Sequence, residues 1–456
     1  MASASTKHSS PVSAFMRPIN RVLERWIPSS LTFAIMLTVV VALMAYFLTG
    51  ASAADIILGW GNGLSGLLAF MAQMCLILLL GHMLANTGPV RRLLVALARV
   101  PVRAETAYVF VFAVAAATSM INWGLGLVAG ALLARETAVQ LRAKGVKAHF
   151  PLLVAAGYSG FVVWHMGYSG SGPLTAATPG SFLAEVMDGR TIPLSQTTFA
   201  PWNILAVLGC MAACALALWL IAPRKGAAVQ ELPASVATEA FENHKEEVVT
   251  PADRIDASRV PTLLTGLALV AYIALHFVRS GTMTLDLVNW TFLALILLLV
   301  RSPFELTHLT GKAAGHVGEI LLQFPLYAGI MGMMACTGLI TLFSNAIVAV
   351  ANTETFGVLA FLSAGVVNFF VPSGGGQFAV QGPIMLNAAA KLGVDPAIAI
   401  MAVAYGDQWT NMLQPFWALP VLAIAGLKMR DILRYTVLTC LVSGAVMTSA
   451  LWLASL

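Results

Sequence analysis

The chain is 456 residues long, 59% apolar and 10% charged, with a mean hydropathy of +0.85 and a formal net charge of +5. Apolar runs of roughly 20 residues, enough to cross about 30 Å of hydrocarbon, recur along it without the polar helical faces that a soluble helical protein presents. A soluble fold is thereby excluded in favour of an all-α polytopic membrane protein, and the positive charge reads as membrane topology, so no nucleic-acid partner is expected.

In chain order, residues 1–30 carry no apolar stretch and end in a basic amphipathic segment, expected to lie on the cytoplasmic face of the bilayer rather than to act as a signal peptide. The clearest spans follow at Leu31–Thr49, Leu64–Ala85, Trp202–Ala222, Thr262–Val278, Leu285–Val300, Gly318–Thr337 and Ile432–Leu453. Cys75, Cys210, Cys214, Cys336 and Cys440 all sit inside apolar runs, at neither metal-ligand nor disulfide spacing, and read as small packing residues.

Landmarks recur at a spacing of about 250 residues. Gln73 with Thr87-Gly88 matches Gln323 with Thr337-Gly338. Asn122 in INWGLG matches Asn368 in VNFFVPSGGG, and Tyr158 matches Tyr405. The chain is therefore a duplication, with repeat 1 over 31–222, a cytoplasmic linker over 223–260, a linking transmembrane helix over 261–283 and repeat 2 over 284–456. Each repeat is expected to hold a re-entrant hairpin (105–140 and 355–392) followed by a broken transmembrane helix (152–178 and 397–424). With the N-terminus inside, this arrangement gives nine crossings and puts 22 of the 25 Lys and Arg residues on the cytoplasmic side, as the positive-inside rule predicts. An odd number of crossings between equivalent points makes the repeat inverted.

The site follows from that organisation. Non-helical backbone at membrane depth is tolerated only in protein or around a water-filled cavity, and matched Gly- and Pro-interrupted segments in two inverted halves point to a transporter's binding site. The first span is interrupted by Gly167, Gly170, Gly172 and Pro173, the second by Pro415 and Pro420. Half-helix ends expose N–H groups to anions and carbonyls to cations. The candidate substrate-binding residues are Asn122, Trp123, Gly124, Ser169, Gly170, Ser171, Gly172 and Thr175 in repeat 1. In repeat 2 they are Asn368, Ser373, Gly374, Gly375, Gly376, Gln377, Gln381, Gln408, Asn411 and Gln414. Neither hairpin arm up to its tip nor either broken span contains Lys or Arg, which suits one carboxylate better than a multiply charged anion. Trp123, Trp164, Phe378 and Trp409 could wall a short apolar tail. Asp407 is the one acid well inside a core span, so it is the candidate coupling residue, sharing a face with Asn411 and Gln414 if that stretch is helical. His82 and His165 could relay protons.

The stretches NFFVPSGGGQFAVQGP, AYGDQWTNMLQPFWALPVLAIAG, INWGLGLVAGALLARE and SGSGPLTAATPG resemble the short-chain fatty acid transporter family (AtoE type), within the ion-transporter superfamily, over nearly the whole chain. The resemblance implies secondary transport of acids such as acetoacetate or butyrate across a bacterial inner membrane; beside it, the expected partners are the monocarboxylate, H+ (or Na+) as the coupling ion on Asp407, the lipid bilayer and, as a candidate assembly, a homodimer. It also implies Glu at Asp407, Trp at Phe378 and Gly-rich sequence at His165-Met166. These departures line the inferred pocket and bear on the preferred chain length. Three other readings stand beside it: a sodium-coupled carrier of another small carboxylate, a weak-acid channel, and a membrane enzyme. The last lacks a catalytic pattern, since GYSGSG fails the nucleophile-elbow spacing by one position and no zinc-protease or phosphate-loop motif occurs, so no cofactor and no metal are expected.

Overall fold

The computed structural model describes residues 30–183, 186–223, 229–232, 248–279, 284–315, 317–368, 374–414 and 417–456. The N-terminal segment, most of the linker, Pro415 and the proposed site residue Ser373 lie outside them. Among the described residues there is no strand.

The chain opens with α1 (Ser30–Met44), continued by a π-helical turn over Ala45–Thr49, and α2 (Ala53–Gly63). The first set then runs through α3 (Leu68–Asn86), α4 (Gly88–Ala98), α5 (Ala104–Ile121), α6 (Trp123–Ala143), α7 (Phe150–Ser159), α8 (Ser171–Ala177) and α9 (Pro201–Leu220). Connecting helices follow as α10 (Pro251–Asp256), α11 (Val260–Arg279), α12 (Leu285–Leu299) and α13 (Pro303–Ala314). The second set is α14 (Gly318–Cys336), α15 (Leu339–Val350), α16 (Phe356–Asn368), α17 (Gly374–Leu392), α18 (Pro396–Thr410), α19 (Leu419–Ala425) and α20 (Met429–Ala454). Helix starts at 68, 88, 104, 123, 150 and 171 recur at 318, 339, 356, 374, 396 and 419, so the spacing read from four landmarks extends to whole elements.

By length and composition α5, Phe150–Ala177, α9, α11 and α20 can each cross a membrane, and α3 with α4, bent by 65° at their junction, makes a sixth span. The apolar helices α1, α12, α14 and α16 are shorter. Only 11% of the apolar window of α11 is buried, which places this linking helix at the periphery. Two amphipathic helices were not anticipated. The charges of α4 and α13 read as loop in the sequence, yet Pro at the first turn of each, and Ser302 accepting from Glu305 N–H in α13, start regular helix there.

The first hairpin is α5 and α6, which meet at Asn122 in extended backbone. Its arms run antiparallel and close: a Cβ on Gly126 would strike Ser119, and one on Gly130 would lie 3.1 Å from Ala115 Cβ. These two glycines therefore serve helix packing. In the second hairpin, Gln377 Nε2 on α17 donates to the Ala364 carbonyl on α16 (2.8 Å), and Gln381 Nε2 donates to Ser363 Oγ (3.2 Å). A piece of the linker is also anchored. Gln230 N–H donates to His149 Nδ1 (3.0 Å), Phe150 N–H donates to the Gln230 carbonyl (2.8 Å), Arg142 donates to the Leu232 carbonyl, and Leu232 is buried.

Candidate functional site

Both broken spans break where the sequence puts the least helix-compatible residues. After α7 the backbone tightens into a 3₁₀ stretch over Gly160–Met166, turns at Gly167, and resumes at Ser171. A Cβ on Gly167 or Gly170 would collide with the carbonyl of Met120 or His165, so glycine is required at both turns. After α18 a single 3₁₀ turn (Asn411–Leu413) leads to extended backbone at Gln414. The α-helix thus stops at Thr410. The face expected to join Asp407, Asn411 and Gln414 is accordingly split: Asn411 and Gln414 reach Asn368, and the Asp407 carboxylate points to His165.

Each hairpin tip is stitched to the break of its own repeat. In repeat 1, Asn122 Oδ1 caps α6 by accepting Leu125 N–H (2.8 Å). Trp123 N–H donates to Ser169 Oγ (3.0 Å), and Tyr168 N–H donates to the Met120 carbonyl (2.7 Å). In repeat 2, Asn368 Nδ2 reaches the Asp407 carbonyl (2.6 Å), Thr410 Oγ1 (2.9 Å) and Asn411 Oδ1 (2.7 Å), and its carbonyl accepts from Gln414 Nε2 (2.9 Å).

The two breaks are also bonded to each other. His165 N–H donates to Gln408 Oε1 (2.8 Å), and His165 Nδ1 lies 2.8 Å from Asp407 Oδ2 with both side chains fully buried. Nε2 of the same ring accepts from Gly172 N–H (2.9 Å) and lies 3.1 Å from Ser171 Oγ. Tyr158 Oη donates to the Asn411 carbonyl (2.7 Å). Tyr405 Oη donates to Asn203 Oδ1 (2.7 Å), and Asn203 Nδ2 donates to the Met166 carbonyl (3.1 Å). Each repeat's tyrosine thereby braces the other repeat's break.

Of the residues expected at a binding site, Asn122, Trp123, Ser169, Ser171, Gly172, Asn368, Gln408, Asn411, Gln414 and Asp407 enter this one bonded cluster. Gly374, at the start of α17, abuts it: an added Cβ would strike the Trp164 ring and lie 3.0 Å from Ser171 Oγ. Gly375 and Gly376 follow it, buried in the same turn. Gly170 sits in the turn before α8. Four positions do other work. Thr175 Oγ1 bonds back to the Ser171 carbonyl (2.6 Å), Gly124 packs on α3 with its Cβ position 3.2 Å from Leu78 Cα, and Gln377 and Gln381 bond each other (2.9 Å) and hold the hairpin arms together. Trp409 turns away to donate to the Cys440 carbonyl (2.6 Å) on α20.

Two residues not assigned from the sequence, Trp417 and Phe161, also contribute. Trp417 lies 5.0 Å from Trp123 centroid to centroid, Phe161 stacks on Trp164 (5.5 Å), and Trp164 stacks on His165 (4.2 Å, 17° between planes). The stacked pair was visible as WH in a glycine-rich break, though its partner 242 residues away was not. Within this aromatic and amide cluster, Asn122 Nδ2, Trp123 Nε1, Trp164 Nε1, Gln408 Nε2 and Asn411 Nδ2 are buried donors without a hydrogen-bond partner, and Asp407 Oδ1 is a buried acceptor without one. A buried group left unpaired costs about 1–3 kcal/mol. Six such atoms gather at this locus. Among the described residues no group of three or more His, Cys, Asp or Glu side chains could hold a metal ion.

Comparison with known proteins agrees with this architecture. MtrF of Neisseria gonorrhoeae, described with a class of antimetabolite efflux pumps, superposes with a TM-score of 0.53 at 17% identity, covering 94% of this chain and 97% of its own. The Alcanivorax borkumensis YdaH transporter, described as having an unusual topology, does so with a TM-score of 0.53 at 15% identity over 91% and 98%. At such identities these two speak for the fold alone. An Escherichia coli (strain K12) protein provisionally named a short-chain fatty acid transporter is 40% identical over 447 residues, 97% of this chain and 99% of its own. Its Haemophilus influenzae (strain ATCC 51907 / DSM 11121 / KW20 / Rd) counterpart, with the same provisional name, is 35% identical over 431 residues, 93% and 96%. The profile of the short chain fatty acid transporter family matches residues 12–454, and with it the whole run of helices, hairpins and breaks described above. The chain belongs to the short-chain fatty acid transporter family and is a membrane transporter, not an enzyme.

Proposed function

We propose that the protein is a secondary carrier of short-chain monocarboxylates of about two to five carbons, such as butyrate or acetoacetate, in a bacterial inner membrane with its N-terminus in the cytoplasm. In this reading it works by alternating access between two inverted repeats, coupled to protons through Asp407. The observation that carries the reading is the set of unpaired buried donors around the Asp407–His165 pair, with no Lys or Arg in the cluster. Amide, indole and hydroxyl donors can hold one carboxylate, whereas a second would ask for a fixed cation. Trp123, Trp164 and Phe378 offer apolar surface for a tail, each buried CH2 adding roughly 0.8 kcal/mol until the space is full. An anion moving against an inside-negative potential works against about 2.3 kcal/mol per 100 mV, so it must travel with a cation.

Uptake of labelled butyrate into proteoliposomes under an imposed pH gradient in sodium-free buffer tests the reading. Accumulation is expected, with competition by other short monocarboxylates and little by succinate. Asp407→Asn should lose uphill uptake at neutral pH while keeping exchange. An absolute sodium requirement would transfer the coupling to Na+, and succinate competing where butyrate does not would overturn the substrate class.

A further inference from the structure

His165 makes two kinds of contact that together fix its tautomer. A backbone amide can only donate, so the Gly172 N–H at 2.9 Å requires a lone pair on Nε2. The neutral ring then carries its proton on Nδ1 and donates it to Asp407 Oδ2 at 2.8 Å. The Nε2 lone pair faces the Gly172 amide and the Ser171 hydroxyl, which is 3.1 Å away. Those two donors are thus occupied by the imidazole, and the ring is stacked on Trp164.

We propose that His165 Nε2 is the atom that receives the coupled proton, and that its protonation opens the carboxylate position at Ser171 and Gly172. The inference rests on the transport reading above and refines its coupling step. A protonated Nε2 cannot accept, so it releases the Gly172 N–H and the Ser171 O–H and becomes a donor itself. A carboxylate entering between them accepts from all three groups. Asp407 remains ionised throughout, accepting from Nδ1–H and holding the imidazolium. The stacked indole face also favours a charged ring. On the far side the proton leaves with the acid, and Nε2 recovers its bond to Gly172. The empty pair carries one negative charge; the pair with one proton and one carboxylate also carries one. The translocating unit therefore has the same charge loaded and empty, and transport is electroneutral.

Of the other titratable groups on the elements packed against the pair, Tyr168 stands in the turn after His165, where its N–H donates to the Met120 carbonyl. Glu105, Tyr108, Arg135, Glu136, Arg142 and Lys391 stand toward the hairpin-arm ends away from the tips. Arg430, Asp431, Arg434 and Tyr435 stand in the first turns of α20, and Asp286 is held by Gln73. Tyr158 and Tyr405 donate to Asn411 and Asn203, and Cys210, Cys214 and Cys440 point to backbone carbonyls. None of them bonds to His165 or Asp407.

The test uses the full-length carrier in proteoliposomes, with butyrate counterflow read as half-saturation concentration between pH 5.5 and 8. A parallel detergent measurement reads proton uptake on butyrate addition with a pH indicator. Wild type should weaken for butyrate by up to tenfold per pH unit on the alkaline limb and take up one proton per butyrate bound. His165→Gln should bind butyrate more weakly, having lost one of the three donors to the carboxylate, and the exchange it retains should show a flat pH profile, no proton uptake and no accumulation under a pH gradient. Asp407→Asn should keep the pH dependence but move it to lower pH, because the imidazolium has lost its counter-charge. A pH profile that survives in His165→Gln, or that vanishes in Asp407→Asn, would overturn the proposal and leave the proton on the acid. Should His165→Gln fail to fold, the Asp407→Asn profile and the wild-type proton count still decide. A wild type without any butyrate counterflow would overturn the transport reading itself, and this proposal with it.

Discussion

The two breaks occupy equivalent places in the two repeats and have diverged in chemistry. The first is a Gly and Ser segment held largely through backbone N–H donors: Trp123 N–H on Ser169 Oγ, Tyr168 N–H on the Met120 carbonyl and Gly172 N–H on the His165 imidazole. The second is rich in amides, and one side chain, Asn368, gathers Asp407, Thr410, Asn411 and Gln414 around it. A duplicated backbone device can thus keep its shape while one copy specialises in small donors and the other in an acid and its amide support. The difference shows that pseudo-symmetry constrains where the chain breaks more tightly than it constrains what stands there.

The sharpest way to break this comparison is to remove the equivalent asparagines. Asn368→Ala leaves several buried groups unpaired and should cost on the order of 3 kcal/mol, together with most transport. Asn122→Ala removes one helix cap and should cost about 1 kcal/mol. Thermal unfolding in detergent reads both, and equal losses would mean that the two tips carry the same load. The tyrosine braces give a symmetric control of smaller size. Tyr158→Phe and Tyr405→Phe each delete one buried hydrogen bond of 2.7 Å, so each should lower stability by about 1–2 kcal/mol. A loss confined to one of them would show that only one break depends on its partner repeat.

The smallest effect concerns where each broken span begins. The second starts on Asp395, which caps its own helix at Ala397 N–H (2.8 Å). The first starts on His149, whose imidazole must serve both Gln230 N–H and Arg434 Nη2, each about 3.0 Å away, with the single lone pair a neutral ring offers. Burial, aided by the Arg434 charge, pushes the His149 pKa down to about 4. A folded-state value below the ordinary 6.5 means that this contribution is complete above pH 6.5 and is lost as pH falls toward 4. At pH 5.5 the expected loss is on the order of 1 kcal/mol, read as faster amide exchange at residues 229–232 and absent in His149→Gln.

Much of the fold was legible because hydrocarbon thickness imposes a length on apolar runs, and α1, α9, α11, α12, α14 and α20 follow the runs within a few residues. The first hairpin was legible because Asn122 interrupts an apolar run, and the helix breaks there in extended backbone. The amphipathic helices α4 and α13 were not, since their charges are those of a cytoplasmic loop and their helicity comes from caps and packing. At the site, Asp407 could be singled out because an acid in an apolar run is costly. Its bond to His165 could not, because a contact across 242 residues leaves no periodicity in either segment. Trp409 shows the opposite failure: an aromatic beside the acid reads as a pocket wall, yet helical geometry turns it to Cys440.

The bonds that tie one break to the other carry a mechanical consequence. His165 to Gln408 and Asp407, Tyr158 to Asn411, and Tyr405 through Asn203 to Met166 lash the centres of the two broken spans together. Prising them apart to admit solvent would strip several buried polar groups at once, each at about 1–3 kcal/mol. Any motion that keeps these bonds must carry the centres of the two broken spans together.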